Sequence, residues 1–108
     1  MRLIIWRGDA LQIEYKSNKI RKVCTNAHEA EKKYGRDVAE KIQFRIDQIS
    51  AALSVEDMLQ FRVGRCHALK GNRKDQYAVD LVHPYRLVFE KIGDKIQIAN
   101  IIEIVDYH

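Results

Sequence analysis

The sequence predicts an α+β domain in which an N-terminal strand and a two-helix hairpin pack on one face of a small, mainly antiparallel β-sheet. Three observations carry that prediction: alternation of apolar and polar residues at 11–16, two apolar stripes of helical spacing on either side of Gly35, and a return to alternation after Gly64.

At the start, Leu11, Ile13 and Tyr15 alternate with Gln12, Glu14 and Lys16, the two-residue period of a half-buried strand. Ser17 or Asn18 then caps a first helix on which Ile20, Val23, Cys24, Ala27 and Ala30 recur at helical spacing. Lys32 and Lys33 fall in its last turn, where cations meet the negative end of the helix dipole, and Gly35 stops it. Val38, Ala39, Ile42, Ile46, Ile49 and Leu53 form one stripe and predict a second, antiparallel helix over 36–53. Ser54 followed by Asp57 resembles a capping box and predicts a further helical turn over 55–60. Beyond Gly64, residues 66–70 predict a short strand ended by the Gly71-Asn72 turn. Tyr77, Val79 and Leu81 mark the next strand, His83-Pro84 a turn, and Leu87 with Phe89 the facing strand over 86–91. Gly93-Asp94 predicts a second hairpin turn before the last and most apolar strand, 96–105.

A chain of 108 residues has room for one core, so 1–108 is expected to be a single domain, with 1–10 as an N-terminal extension whose role the pattern does not give. Cys24 and Cys66 lie far apart without a CxxC pattern, which argues for buried thiols rather than a disulfide framework or thiolate zinc site. Only four apolar residues separate Arg2 from Arg7, too few for a signal-peptide core, and no run approaches the roughly 20 residues of a membrane span. A soluble, cytoplasmic protein without membrane contact is expected. The net charge of +4 favours approach to a polyanion but does not by itself define a site.

The sheet face away from the helices is where polar residues able to act on a phosphate are expected to collect, from strands or adjoining turns: His67, Lys70, Arg73, Arg86, Asp106 and His108. Taken singly, each has a plain structural explanation. His67 beside Leu69 fits a satisfied surface imidazole, Lys70, Arg73 and Lys74 a solvated turn, Arg86 a salt-bridge partner, and Asp106-Tyr107-His108 a frayed end. Cys66, His67, His83, Asp106 and His108 show no recognised ligand spacing, so no metal or other cofactor is expected. Together they suit another chemistry. Cleaving RNA without a metal requires the 2′-hydroxyl to lose a proton, the leaving 5′-oxygen to gain one, and the extra charge on phosphorus to be stabilised. Imidazoles and carboxylates meet the first two needs, and fixed guanidinium and ammonium groups the third.

The run C-H-A-L-K-G-N-R-K-D-Q-Y-A-V-D-L (66–81), then Y-R-L-V-F-E (85–90) and the terminal V-D-Y-H (105–108), resembles the HigB family of the RelE/ParE toxin superfamily, from type II toxin-antitoxin systems. The similarity runs from about Ile13 to the end. It departs at Ala68, where proline is frequent, and in the extension 1–10. The resemblance implies a RelE-like fold and a metal-independent, ribosome-dependent endoribonuclease that cuts translated mRNA and inhibits growth. It also implies a HigA-type helix-turn-helix antitoxin that neutralises the toxin in a hetero-oligomer.

Matched position by position, its functional residues fall on His67, Lys70, Arg73, Arg86, Asp106, Tyr107 and His108. His67 and His108 would then form the proton-transfer pair, with Asp106 orienting one imidazole or acting as base. Lys70, Arg73 and Arg86 would hold phosphates, and Tyr107 would stack on a base or hydrogen-bond the backbone. Strand alternation sets Tyr107 on the face opposite Asp106 and His108, so either the strand ends first or Tyr107 is structural. Two other readings share this pattern: a ParE-like DNA gyrase inhibitor, and a non-catalytic RNA- or ribosome-binding module.

Overall fold

A computed structural model describes residues 10–107 of the chain. Most of the predicted extension, and with it His108, lies outside the described residues. The elements follow in the order β1 (Gln12–Tyr15), α1 (Asn18–Thr25), α2 (Ala27–Tyr34), α3 (Arg36–Ala51), α4 (Val55–Gln60), a 3-10 turn (Val63–Arg65), β2 (His67–Ala68), β3 (Gln76–Asp80), β4 (Tyr85–Ile92) and β5 (Ile98–Asp106).

The first helix is the main correction. One continuous helix was expected from the Ser17 or Asn18 cap to the stop at Gly35, and two stand in its place, because Asn26 leaves helical geometry and its side-chain oxygen accepts from the backbone N–H groups of His28 and Glu29. Asn26 thus closes α1 and caps α2, the local competition that short polar side chains offer a helix interior. Gly35 separates α2 from α3 with φ +89, an angle that glycine adopts without steric cost. Ser17 and Ser54 cap α1 and α4, accepting from Ile20 N–H and Asp57 N–H.

Among the described residues the strands form one sheet in the order β1-β5-β4-β3-β2, with β1 parallel to β5 and every other pair antiparallel. The strand expected over 66–70 shrinks to His67–Ala68, after which Leu69 keeps a single backbone bond to Gln76. The expected tight turn at Gly93-Asp94 is a longer loop, since pairing stops at Ile92↔Ile98. Gly93 is required there: at φ +90 a Cβ would lie 2.3 Å from the Ile96 carbonyl oxygen.

Alternation sends Val79, Leu81, Leu87, Phe89, Ala99 and Ile101 to the helix side, where they join Ile20, Val23, Ile42, Ile46, Ile49, Val55 and Met58 in the core. Phe89 is fully buried, and truncating it to alanine should cost about 3–5 kcal/mol. A bulge between Val88 and Phe89 shifts the pairing from Glu103 to Ile101 and leaves Ile102 as the extra residue. The opposite face carries His67, Ala78, Asp80, Arg86, Val88, Glu103 and Val105, and this is where the functional candidates gather.

Candidate functional site

Register builds the site. His67 on β2 pairs with Ala78, and Asp80, two residues further along β3, pairs with Arg86 on β4. The same side therefore receives His67, Asp80 and Arg86, and an open cleft of about 720 Å³ lies among them, lined also by Leu59, Arg62, Arg65 and Cys66. A smaller hollow continues past Asp80 and Arg86 to His83, Pro84 and Tyr107.

Each functional group is held by its surroundings. The Nδ1 of His67 lies 3.0 Å from the carbonyl oxygen of Arg65. A carbonyl only accepts, so the neutral ring carries its proton on Nδ1 and leaves the Nε2 lone pair available as a base. Arg86 is fixed on two sides: its Nε lies 3.1 Å from Asp80 Oδ1, and its guanidinium carbon sits 4.7 Å from the centre of the Tyr107 ring. Tyr107 is itself tied to the β3–β4 turn, donating its backbone N–H to the Pro84 carbonyl at 2.8 Å.

That contact answers the alternation problem in an unexpected way. Strand β5 runs on to Asp106, which pairs with Tyr85, so Asp106 is directed to the helix side while Tyr107 joins Arg86. Arg73 reaches from the β2–β3 turn across Ala78 and Val88 to Glu103, at 2.6 Å, and its Nε donates to Gln76 at 2.7 Å. It shares the face of His67 and Arg86, but its charge is engaged by Glu103. Lys70 is exposed at the start of that turn. The structure thus gathers His67, Arg86 and Tyr107 about the cleft and places Arg73 beside them, but it corrects the expectation for Asp106, which pairs with Tyr85 and falls on the helix side of the sheet.

Three cleft residues were not singled out from sequence. Asp80 was legible: once a turn is placed at His83-Pro84, residues 80 and 86 fall opposite each other. Arg62 and Arg65 were not, because the segment after α4 has no periodicity. Both take left-handed backbone angles, φ 52 and φ 56, rare for residues with a side chain, and this conformation turns the chain back beneath β3. Cys66 contributes only a wall, since burial pushes its thiol up to about 12, and burial does the same to Cys24. Among the described residues no three His, Cys, Asp or Glu side chains cluster closely enough to hold a metal ion, and no helix is long and apolar enough to cross a membrane.

A helical layer on one side of a five-stranded, mostly antiparallel sheet with a parallel N-terminal edge strand is a fold shared with a solved YoeB/ParE toxin. Among solved structures, the YoeB/ParE toxin from Agrobacterium tumefaciens matches this chain with a TM-score of 0.55, covering 91% of this chain and 100% of that one at 12% identity. At that identity the likeness is one of fold. No family model matches the sequence, and no curated protein matches it.

Proposed function

We propose that this protein is a toxin of a type II toxin-antitoxin system, a HigB-like, metal-independent endoribonuclease that cleaves mRNA on the ribosome and is neutralised by a cognate HigA-type helix-turn-helix antitoxin. The observation that carries the reading is His67, with its Nε2 lone pair free, sharing one cleft with the Arg86 guanidinium in a toxin-type fold.

In the proposed reaction Nε2 of His67 accepts the proton of the 2′-hydroxyl, the 2′-oxygen bonds to phosphorus, and the bond from phosphorus to the 5′-oxygen breaks. The leaving oxygen takes a proton from an acid, the role that the resemblance gives to His108. One product ends in a 2′,3′-cyclic phosphate and the other begins with a 5′-hydroxyl. Arg86, steadied by Tyr107, offers its remaining N–H groups to the non-bridging oxygens as charge builds there. Lys70 and Arg73 engage neighbouring phosphates, Arg73 by exchanging Glu103 for RNA. Asp106, paired with Tyr85, orients the chain end rather than taking the first proton.

Inducing the protein without its antitoxin should arrest growth and create new RNA 5′ ends within translated messages, and His67→Gln should abolish both. Arrest that persists undiminished in His67→Gln would remove that residue from the mechanism. Gyrase-dependent DNA breaks with intact messages would favour the ParE-like inhibitor, a reading that gives His67 no task.

A further inference from the structure

Asp80 stands at the centre of the cleft with a guanidinium on each side. Its Oδ2 lies 3.1 Å from Arg65 Nε and its Oδ1 3.1 Å from Arg86 Nε. Both arginines approach the carboxylate through Nε. Asp80 Oδ1 accepts no aligned hydrogen bond, so the hold on Arg86 is one of charge rather than of a directed N–H. Beneath it Arg45 donates from Nε to the Asp80 backbone carbonyl at 2.6 Å. The same Arg45 side chain packs on Gly64, where any Cβ would come within 2.8 Å of its Nε. Arg45 therefore acts as a strut joining the 62–65 segment to β3, and it sets Arg65 opposite Arg86.

The fold gains little from this arrangement. The Arg65 side chain is 83% exposed, and an ion pair so open to water adds little stability. Its left-handed backbone is unfavourable for a residue with a side chain. Strain without a structural return is most often found where a group must meet a ligand.

The geometry points to Arg65 as a phosphate-binding residue that pairs with Arg86 across Asp80, forming a two-arginine clamp for the phosphodiester backbone of single-stranded RNA. Asp80 is its positioning residue: it holds the two guanidiniums on either side of one carboxylate, and each guanidinium has further N–H groups that can bond phosphate oxygens. The proposal takes its polyanion from the nuclease reading and adds to it a second phosphate contact and the group that aligns it.

The test uses the full chain and two independent readouts. One is binding of a 2′-O-methyl single-stranded RNA oligomer, which cannot be cut, across a salt series. The other is single-turnover mRNA cleavage on programmed ribosomes. Arg65→Ala should weaken RNA binding about tenfold and lower the salt slope by about one phosphate contact, while Arg65→Lys keeps the slope and recovers only part of the affinity. Asp80→Asn should slow cleavage about tenfold while RNA binding holds or strengthens, because a negative charge has left the cleft; a merely structural ion pair would not produce that split. Wild-type protein that does not bind the oligomer, or Arg65→Ala that matches wild type in affinity and slope, overturns the clamp even if cleavage proceeds. Arg65-dependent binding without any cleavage leaves the clamp standing and removes the nuclease reading instead.

Discussion

The two ends of β4 carry polar networks of similar size that differ in what they leave unmatched. At the hairpin end, buried Gln97 accepts from Val55 N–H at 2.9 Å and donates to Glu56 at 2.8 Å and to the Asp94 carbonyl at 2.9 Å, while Lys91 completes the group through Glu56 at 2.6 Å. Each of the three side chains there has a partner within the protein. At the cleft end Asp80 holds two arginines, has a buried oxygen without a hydrogen bond, and lines an open cleft. A closed network stabilises the fold because breaking it strands buried groups, whereas an open one retains unused donors for a ligand. The same strand therefore joins a structural knot to a candidate site.

Substitutions at the two ends should separate these roles. The largest expected effect is at His67: His67→Gln should lower single-turnover cleavage by about 100-fold or more, with unfolding free energy unchanged within about 0.5 kcal/mol. Gln97→Ala should do the reverse. It strands the buried Val55 N–H, and urea titration should show a loss of about 2 kcal/mol with cleavage intact at temperatures where the variant is folded. If Gln97→Ala instead impaired cleavage in the folded protein, the division between the two ends would fail. Asn26→Ala tests a third point, away from both networks, and removal of its cap should cost about 1 kcal/mol.

How far the sequence could be read follows the range of the forces involved. Alternation and helical stripes report burial of long segments, so β1, α3 and the facing strands β3 and β4 were legible. The Asn26 cap was not, because Ala27 and Ala30 continue the apolar spacing while the break depends on two local hydrogen bonds. The parallel docking of β1 against β5 depends on which edge is left open after the sheet assembles, and nothing near residues 12–15 records that. At the site, His67 and Arg86 stood out through chemistry and position. Arg65 did not, because its place depends on a left-handed backbone and a strut from α3, contacts made between segments with no shared period.

The smallest expected effect is the pH response of the closed network, and its sign can be worked out. Hydrogen bonds from Lys91 and then Gln97 hold the Glu56 carboxyl down to about 2 from 4.5, so its contribution is fully present above pH 4.5 and is lost as pH falls towards 2. The hydrogen bond to Glu56 raises Lys91 above 10.5, so that contribution is complete below pH 10.5 and fades as pH rises through the raised value. Glu56 is 57% exposed, and screening by water should keep the whole effect below about 1 kcal/mol. Glu56→Gln should therefore be less stable than wild type by a small, constant amount between pH 5 and pH 9 on this reasoning, and the two urea midpoints should converge by about pH 2. A gap of equal size at both pH 7 and pH 2 would mean that the Glu56 charge contributes nothing, and that Gln97 alone holds the hairpin to α4.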